Sequence, residues 1–245
     1  MRASSSFDCD VLVVGAGPVG LALAVELGMQ GVRCIVIEAL RRETLAPRAK
    51  TTNVRSRELM RRWGMAERLA AEAPFGINYP SNVVFATSLV GTELARFTNA
   101  FACSPERDDR FAEHAQWVPQ YKVEKVLREH ALTHTNVVLR QPARLAAFTQ
   151  DEHGVTATLE ANGACPGEAL RARYLVGADG ARSTVRGILG VPMTGQSPLG
   201  QHRAFIFRSP GLDQRCTLGP GIMYWIVHDQ VPSTIAPLEI GRAHV

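Results

Sequence analysis

The chain has 245 residues, 46% apolar and 20% charged, a make-up that buries a core, excludes a disordered chain and allows one or two domains. Its net charge of +4 comes from 27 basic and 23 acidic side chains, and the basic ones are spread among acids rather than gathered into a nucleic-acid footprint. Apolar stretches such as Val11–Val14, Ile35–Ile37 and Ile222–Val227 fall far short of the roughly 18 residues of a membrane helix, and the polar start Met1–Ser6 carries no apolar secretory segment.

In chain order, Asp8–Val14 is almost wholly apolar, the pattern of a strand buried on both faces of a parallel sheet. Glycines follow, and Val19–Gln30 predicts a helix closed by Gly31. Arg33–Glu38 is a second apolar strand, so residues 8–38 spell a βαβ unit. Asn53–Trp63 predicts a helix stopped at Gly64, with the basic run Arg55–Arg62 as its solvated face, and Met65–Glu72 a shorter helix before Pro74. Ser81–Ser88 and Thr92–Thr98 predict two strands about a Val90-Gly91 turn, and the charged stretch Ala100–Ala115 a surface loop. Gln120–His134 is an amphipathic helix with Val123, Val126, Leu127 and Ala131 on one face. Strands follow at Asn136–Arg140, Arg144–Thr149, Val155–Glu160 and Leu170–Val176, the middle two joined as a hairpin through Asp151–Gly154. Arg182–Leu189 predicts a short helix, and His202–Arg208 and Ile222–His228 two further strands.

The first chemical signal is Gly15-Ala16-Gly17-Pro18-Val19-Gly20. It follows a strand and opens a helix, the context a Gly-x-Gly-x-x-Gly motif needs to read as a dinucleotide site. Gly15 permits the tight turn, Gly17 lets the backbone approach a pyrophosphate, and Gly20 lets helix and strand pack closely. The helix N-terminus offers N–H groups and partial positive charge to phosphates. Glu38 ends the second strand, where its carboxylate can accept both hydroxyls of an adenosine ribose. The pattern implies an ADP moiety and leaves FAD and NAD open. The five cysteines Cys9, Cys34, Cys103, Cys165 and Cys216 are scattered without a Cys-x-x-Cys pair, which reads as reduced thiols in a cytoplasmic protein. The pair His130 and His134 reads as a charged helix face with no third ligand, so no metal site is expected.

The second signal is Tyr174-Leu175-Val176-Gly177-Ala178-Asp179-Gly180-Ala181-Arg182-Ser183-Thr184-Val185-Arg186, a strand entering Gly-Ala-Asp-Gly with a helix behind it. Here the sequence resembles the single-component FAD-dependent aromatic hydroxylases, typified by para-hydroxybenzoate and phenol hydroxylases. The resemblance runs over about residues 8 to 230. It implies that Asp179, with Gly180 beside it, is associated with FAD and the pyridine nucleotide. It also implies that Arg48, in Pro47-Arg48-Ala49, approaches the flavin, and that Gln120, in Val118-Pro119-Gln120-Tyr121, lies near it.

The fold class expected on that resemblance is α/β: a Rossmann-like βαβ FAD-binding domain with an incomplete mixed or antiparallel substrate-domain sheet. The FAD-binding part would comprise residues 1–79 and 99–190, and a partial substrate-binding part residues 80–98 and 191–238. Residues 239–245, whose Glu-Ile-Gly-Arg-Ala-His-Val back-translates to a sequencing-adapter-like string, would be a non-native tail. The family's third fingerprint, a Gly-Asp segment that binds the ribityl and pyrophosphate, has no counterpart here, so this chain is expected to be an inactive front portion of an oxidoreductase. The intact enzyme would use FAD and NADH or NADPH with dioxygen to hydroxylate a small phenolic substrate through a flavin hydroperoxide. Two alternatives stand beside it. One is a related FAD enzyme such as a halogenase or epoxidase, although Trp63, Trp117 and Trp225 are isolated where a halogenase carries Trp-x-Trp-x-x-Pro. The other is a non-catalytic nucleotide-binding fragment. Neither a nucleic-acid nor a membrane partner is expected.

Overall fold

The computed structural model describes residues 7–40, 49–106, 108–160, 167–196, 203–239 and 242–244. Its elements in chain order begin with β1 (Cys9–Val14), α1 (Pro18–Met29), β2 (Cys34–Ile37), β3 (Thr51–Thr52), α2 (Val54–Arg62), α3 (Ala66–Ala71), β4 (Val83–Ala86) and β5 (Glu93–Phe97). They continue with β6 (Gln116–Trp117), α4 (Gln120–Ala131), β7 (Val137–Arg140), β8 (Leu145–Gln150), β9 (Val155–Leu159), β10 (Ala169–Gly177) and α5 (Thr184–Ile188). The last are β11 (Ile206–Arg208), α6 (Leu212–Arg215), β12 (Met223–Ile226), β13 (Ser233–Glu239) and β14 (Arg242–His244). The architecture is α/β with parallel and antiparallel sheets, as the sequence implies.

Two compact units result. The first contains residues 1–44 and 124–196, the second 45–123 and 197–245, the division falling inside α4. By compactness, residues 45–79 and 99–123 therefore go with the second unit, whereas the sequence reading assigns them by function to the FAD-binding part.

The first unit is a six-stranded sheet in the order β7-β2-β1-β10-β9-β8. Its β7, β2, β1 and β10 are parallel and β9 and β8 antiparallel. The near-continuous apolar runs of β1 and β2 are buried throughout, apart from the half-buried Asp10, as central parallel strands require. One face is closed by an apolar cluster that includes Leu12, Val14, Ile37, Leu159, Leu170 and Val185. The β8–β9 hairpin turns where expected, with Asp151 Oδ1 accepting from the His153 and Gly154 amides. Beyond α4, His134 does not continue a charged helix face: its ring packs where a Cβ on Gly28 of α1 would sit, 2.7 Å away.

The second unit carries a sheet in the order β11-β14-β13-β12-β4-β5 and the two-stranded β3–β6 ladder. In the large sheet β12 and β4 are parallel and their other neighbours antiparallel. No pattern in the sequence predicts β13; its Pro237 argues against a strand, and the register indeed shifts between Pro237 and Glu239. Arg57 also differs from its expected solvated position. It is 3% exposed, donates to the Ala66 carbonyl at 2.6 Å and pairs with Glu113 at 2.8 Å. Together with Glu58, which accepts from the Ala112 amide, and Arg61, which donates to the Ala112 carbonyl, it clamps the charged loop preceding β6 onto α2. Removing one partner of a buried ion pair strands the other, so Glu113→Ala is expected to cost about 3 kcal/mol in urea unfolding. A loss below about 0.5 kcal/mol would mean the clamp is not load-carrying at that position.

Candidate functional site

In the first unit, parallel pairing aligns Val14 with Gly177, so both glycine-bearing turns leave the sheet side by side. The Gly15 amide donates to the Ile37 carbonyl at 2.8 Å, and the Ala178 amide to the Val14 carbonyl at 2.8 Å. Gly15 has φ +106°, and a Cβ there would lie 2.5 Å from the Ala178 carbonyl oxygen and 2.9 Å from Asp179 Cα. Only glycine fits on both counts. A Cβ on Gly20 would lie 1.9 Å from the Gly15 carbonyl oxygen and 3.3 Å from Val13, which is the close helix–strand approach expected of that position. Gly17 behaves oppositely. It precedes α1, and a Cβ there would meet nothing within 4 Å. No side-chain cap closes the helix start, its first turn holds no acid, and Pro18 opens it. The arrangement is an open cradle facing backbone donors, into which a phosphate-bearing group fits.

Glu38 is 8% exposed. Its Oε2 accepts from the Ala16 amide at 2.9 Å and its Oε1 from the Leu40 amide at 3.1 Å. The carboxylate is thus aimed at the glycine turn, and each oxygen keeps a lone pair for a further donor. Ala16 is wholly buried, and its amide is committed to Glu38. Asp179 accepts from Ser183 Oγ at 2.6 Å and from the Thr184 and Val185 amides at 2.6 and 3.1 Å. It caps α5 together with Ser183, whose hydroxyl accepts from the Arg186 amide. Gly180 beside it has φ +80°. Gly15, Gly17, Gly20, Glu38, Asp179 and Gly180 therefore share one end of one sheet.

Arg48 lies outside the described residues. Gln120 belongs to the second unit, where it opens α4 and its amide donates to the Ala49 carbonyl at 2.9 Å. The Val118 amide donates to the Lys50 carbonyl at 2.8 Å, extending the β3–β6 ladder so that residues 49–52 and 116–120 form one piece. Lys50, which the sequence reading passes over, holds its Nζ 5.9 Å from the centre of the Trp117 ring. Burial lowers its pKa to about 8. Nothing in the composition signals this; only the ladder brings Lys50 against Trp117.

The second unit also carries a half-open cavity of about 420 Å3 bounded by Phe75, Tyr79, Leu89, Leu212, Tyr224 and Ile235. The Tyr79 and Tyr224 hydroxyls donate to the Gly221 and Gly219 carbonyls, and burial pushes both phenols up, so both stay neutral donors. A larger recess of about 740 Å3 lies along the loop preceding β6. Its Arg110 is paired with Asp108 and its Arg61 with Glu113, so those cations are spent within the loop.

Comparison with known proteins accords with this geometry. Residues 8–244 match the family described as "FAD binding domain". The chain belongs to that family. Among its relatives, the rifampicin monooxygenase of Streptomyces venezuelae is 40% identical over 187 residues, covering 76% of this chain and 35% of the relative. The 2,4-dichlorophenol 6-monooxygenase of Delftia acidovorans is 33% identical over 238 residues, covering 96% of this chain and 40% of the relative. The flavin-dependent monooxygenase PieE, solved in complex with FAD and substrate, superposes with a TM-score of 0.86 at 28% identity over 98% of this chain and 42% of PieE. The chain thus spans less than half the length of these family members.

The two glycines of the cradle separate in a simple way. Gly20→Ala is expected to lower stability by about 1–3 kcal/mol, the usual cost of overpacking, whereas Gly17→Ser leaves the unfolding midpoint unchanged or slightly raised because serine caps helices well. Equal losses in the two variants would contradict the open cradle. For Lys50 the sign follows from its lowered pKa. Below pH 8 both folded and unfolded chains hold the proton, and the fold bears a buried charge. Between about 8 and its ordinary 10.5 the folded chain has released it, so stability rises with pH through that window. The stability advantage of Lys50→Met over the native chain should therefore shrink from about pH 7 to about pH 10; a constant difference would show a solvated amine.

Proposed function

We propose that the chain is the cofactor-binding portion of an FAD-dependent monooxygenase that hydroxylates an aromatic substrate, with NADH or NADPH as electron source and dioxygen as oxidant. The observation that carries the reading is the cradle: an uncapped α1 start, open space at Gly17, and Glu38 aimed at the same turn. These residues fit the ADP half of FAD. The α1 amides would take the pyrophosphate, and Glu38 the ribose hydroxyls while it holds the turn through Ala16. Bound FAD supplies the redox and oxygen chemistry, and the protein binds, orients and excludes water. Asp179, rigid as a helix cap, would present the neighbouring Gly180 backbone to the cofactor, and the resemblance assigns Arg48 and Gln120 to the same cofactor. Relatives named for rifampicin and dichlorophenol monooxygenation support an aromatic ring as the substrate.

The 2.9 Å bond from the Ala16 amide to Glu38 gives the test a second axis. Titration with FAD and, separately, with ADP-ribose should show binding of both to the native chain. Gly17→Ser should weaken both at least tenfold at unchanged thermal stability. Glu38→Ala should weaken both by roughly 1.5–3 kcal/mol, the range for hydrogen bonds to a charged group. Affinities unaffected by either substitution would remove the cofactor assignment from this turn.

A further inference from the structure

The acid that ends β2 is framed by the turn that follows β7. Ile37 pairs with Arg140 across the parallel ladder. Beyond that pair, the Glu38 amide donates to the Arg140 carbonyl at 3.0 Å, and the Glu38 carbonyl accepts from the Ala143 amide at 2.7 Å. Gln141 sits inside the turn and uses both ends of its side chain. Its Oε1 accepts from Arg128 Nη1 of α4 at 2.6 Å, and its Nε2 donates to the Leu40 carbonyl. These partners fix the orientation of the amide, because a guanidinium only donates and a carbonyl only accepts. The Leu40 amide in turn donates to Glu38 Oε1 at 3.1 Å. Arg128, Gln141, Leu40 and Glu38 thus form one connected chain within the first unit.

The Leu40 side chain is 57% exposed, so packing does little to hold the segment that leaves β2. Polar contacts carry that task. Glu38 is anchored at Oε2 by the Ala16 amide and at Oε1 by the Leu40 amide. With both anchors the carboxylate plane is set; with one it can swing about its broad terminal torsion. The bond from Arg128 to Gln141 is charge-assisted, the stronger kind, and it keeps the Gln141 donor turned toward Leu40.

We propose that Gln141, oriented by Arg128, is a positioning residue for Glu38: it holds the carboxylate in the rotation that accepts the hydroxyls of an adenosine ribose. The proposal rests on the reading of Glu38 as the ribose acceptor and deepens it, tying selectivity for an intact ribose to two residues outside the glycine turn.

The test uses the 245-residue protein and calorimetric titration with two probes, ADP and its 2′,3′-dideoxy analogue. The native chain should bind ADP roughly tenfold more tightly, the worth of a hydrogen bond to a carboxylate. Gln141→Glu keeps the Arg128 contact but turns an acceptor toward the Leu40 carbonyl. Arg128→Met leaves the Gln141 amide free to rotate. Each should cut the ADP preference by about fivefold while affinity for the dideoxy analogue and the circular dichroism spectrum stay native. Arg128→Lys, which still donates, should keep the native preference. In the ligand-free protein, Gln141→Glu should speed hydrogen exchange at the Leu40 amide by about tenfold and leave the Val13 amide of β1 unchanged. Variants at two ends of the chain and a ligand-free measurement keep the outcome decisive if one variant fails to fold. The proposal is overturned if the folded variants retain the ADP preference, if they weaken both nucleotides equally, if Arg128→Lys behaves as Arg128→Met does, or if Leu40 exchange is unchanged. A native chain that binds ADP no better than the dideoxy analogue sinks the ribose assignment of Glu38, and this proposal with it. A native preference that survives both variants sinks this proposal alone.

Discussion

The parallel seam between β1 and β10 is the constraint on which the candidate cofactor site depends. Its strands are about 160 residues apart in the chain, yet pairing Val14 with Gly177 sets two turns in backbone contact at one edge of the sheet. The contact is too close for any side chain at Gly15. Once that turn is drawn in, Gly20 must pass against the Gly15 carbonyl, and α1 is aimed with its open end outward. Glu38, delivered by the next strand, locks the turn through the Ala16 amide. The cradle is therefore a consequence of strand register rather than of loop flexibility.

The second unit uses electrostatics where the first uses close packing. The loop before β6 is polar and would gain little by burial, so it is fastened by the buried Arg57–Glu113 pair and the α2 contacts around it. That fastening sets β6 against β3, and the ladder carries Lys50, Trp117 and Gln120 as one piece. Elsewhere in the unit, β12, β13 and α6 border a half-open aromatic cavity whose tyrosines are held neutral by burial and donate to backbone carbonyls. Polar fastening and apolar lining thus do separate jobs within one unit.

Much of this was legible along the chain. The apolar runs of β1 and β2, the glycine spacing between them and the position of Glu38 are local patterns, and each reappears where the spacing puts it. Asn53 was readable as a helix start, and its Oδ1 accepts from the Ser56 amide at 2.8 Å. Arg57 was not readable as buried, because a basic residue in a basic run looks solvated until its acid partner, 56 positions away, is in place. The strands β3 and β6 are two residues each and carry no periodicity to detect. In β13 the proline masks the strand because the ladder tolerates it only at a register shift.

The sequence by itself determined the βαβ unit, the tight turn at Gly15, the close helix packing at Gly20 and the acid at the end of the second strand, because those features are set by neighbours within one or two elements. The tertiary structure decided that Asp179 spends its carboxylate on the start of α5, that Ala16 spends its amide on Glu38, that Lys50 lies over Trp117, and that Phe75, Tyr79 and Tyr224 bound one cavity. The physical reason is the same in each case. Hydrogen-bond partners, burial and cavity walls come from residues distant in the chain, and only strand register and packing bring them within reach.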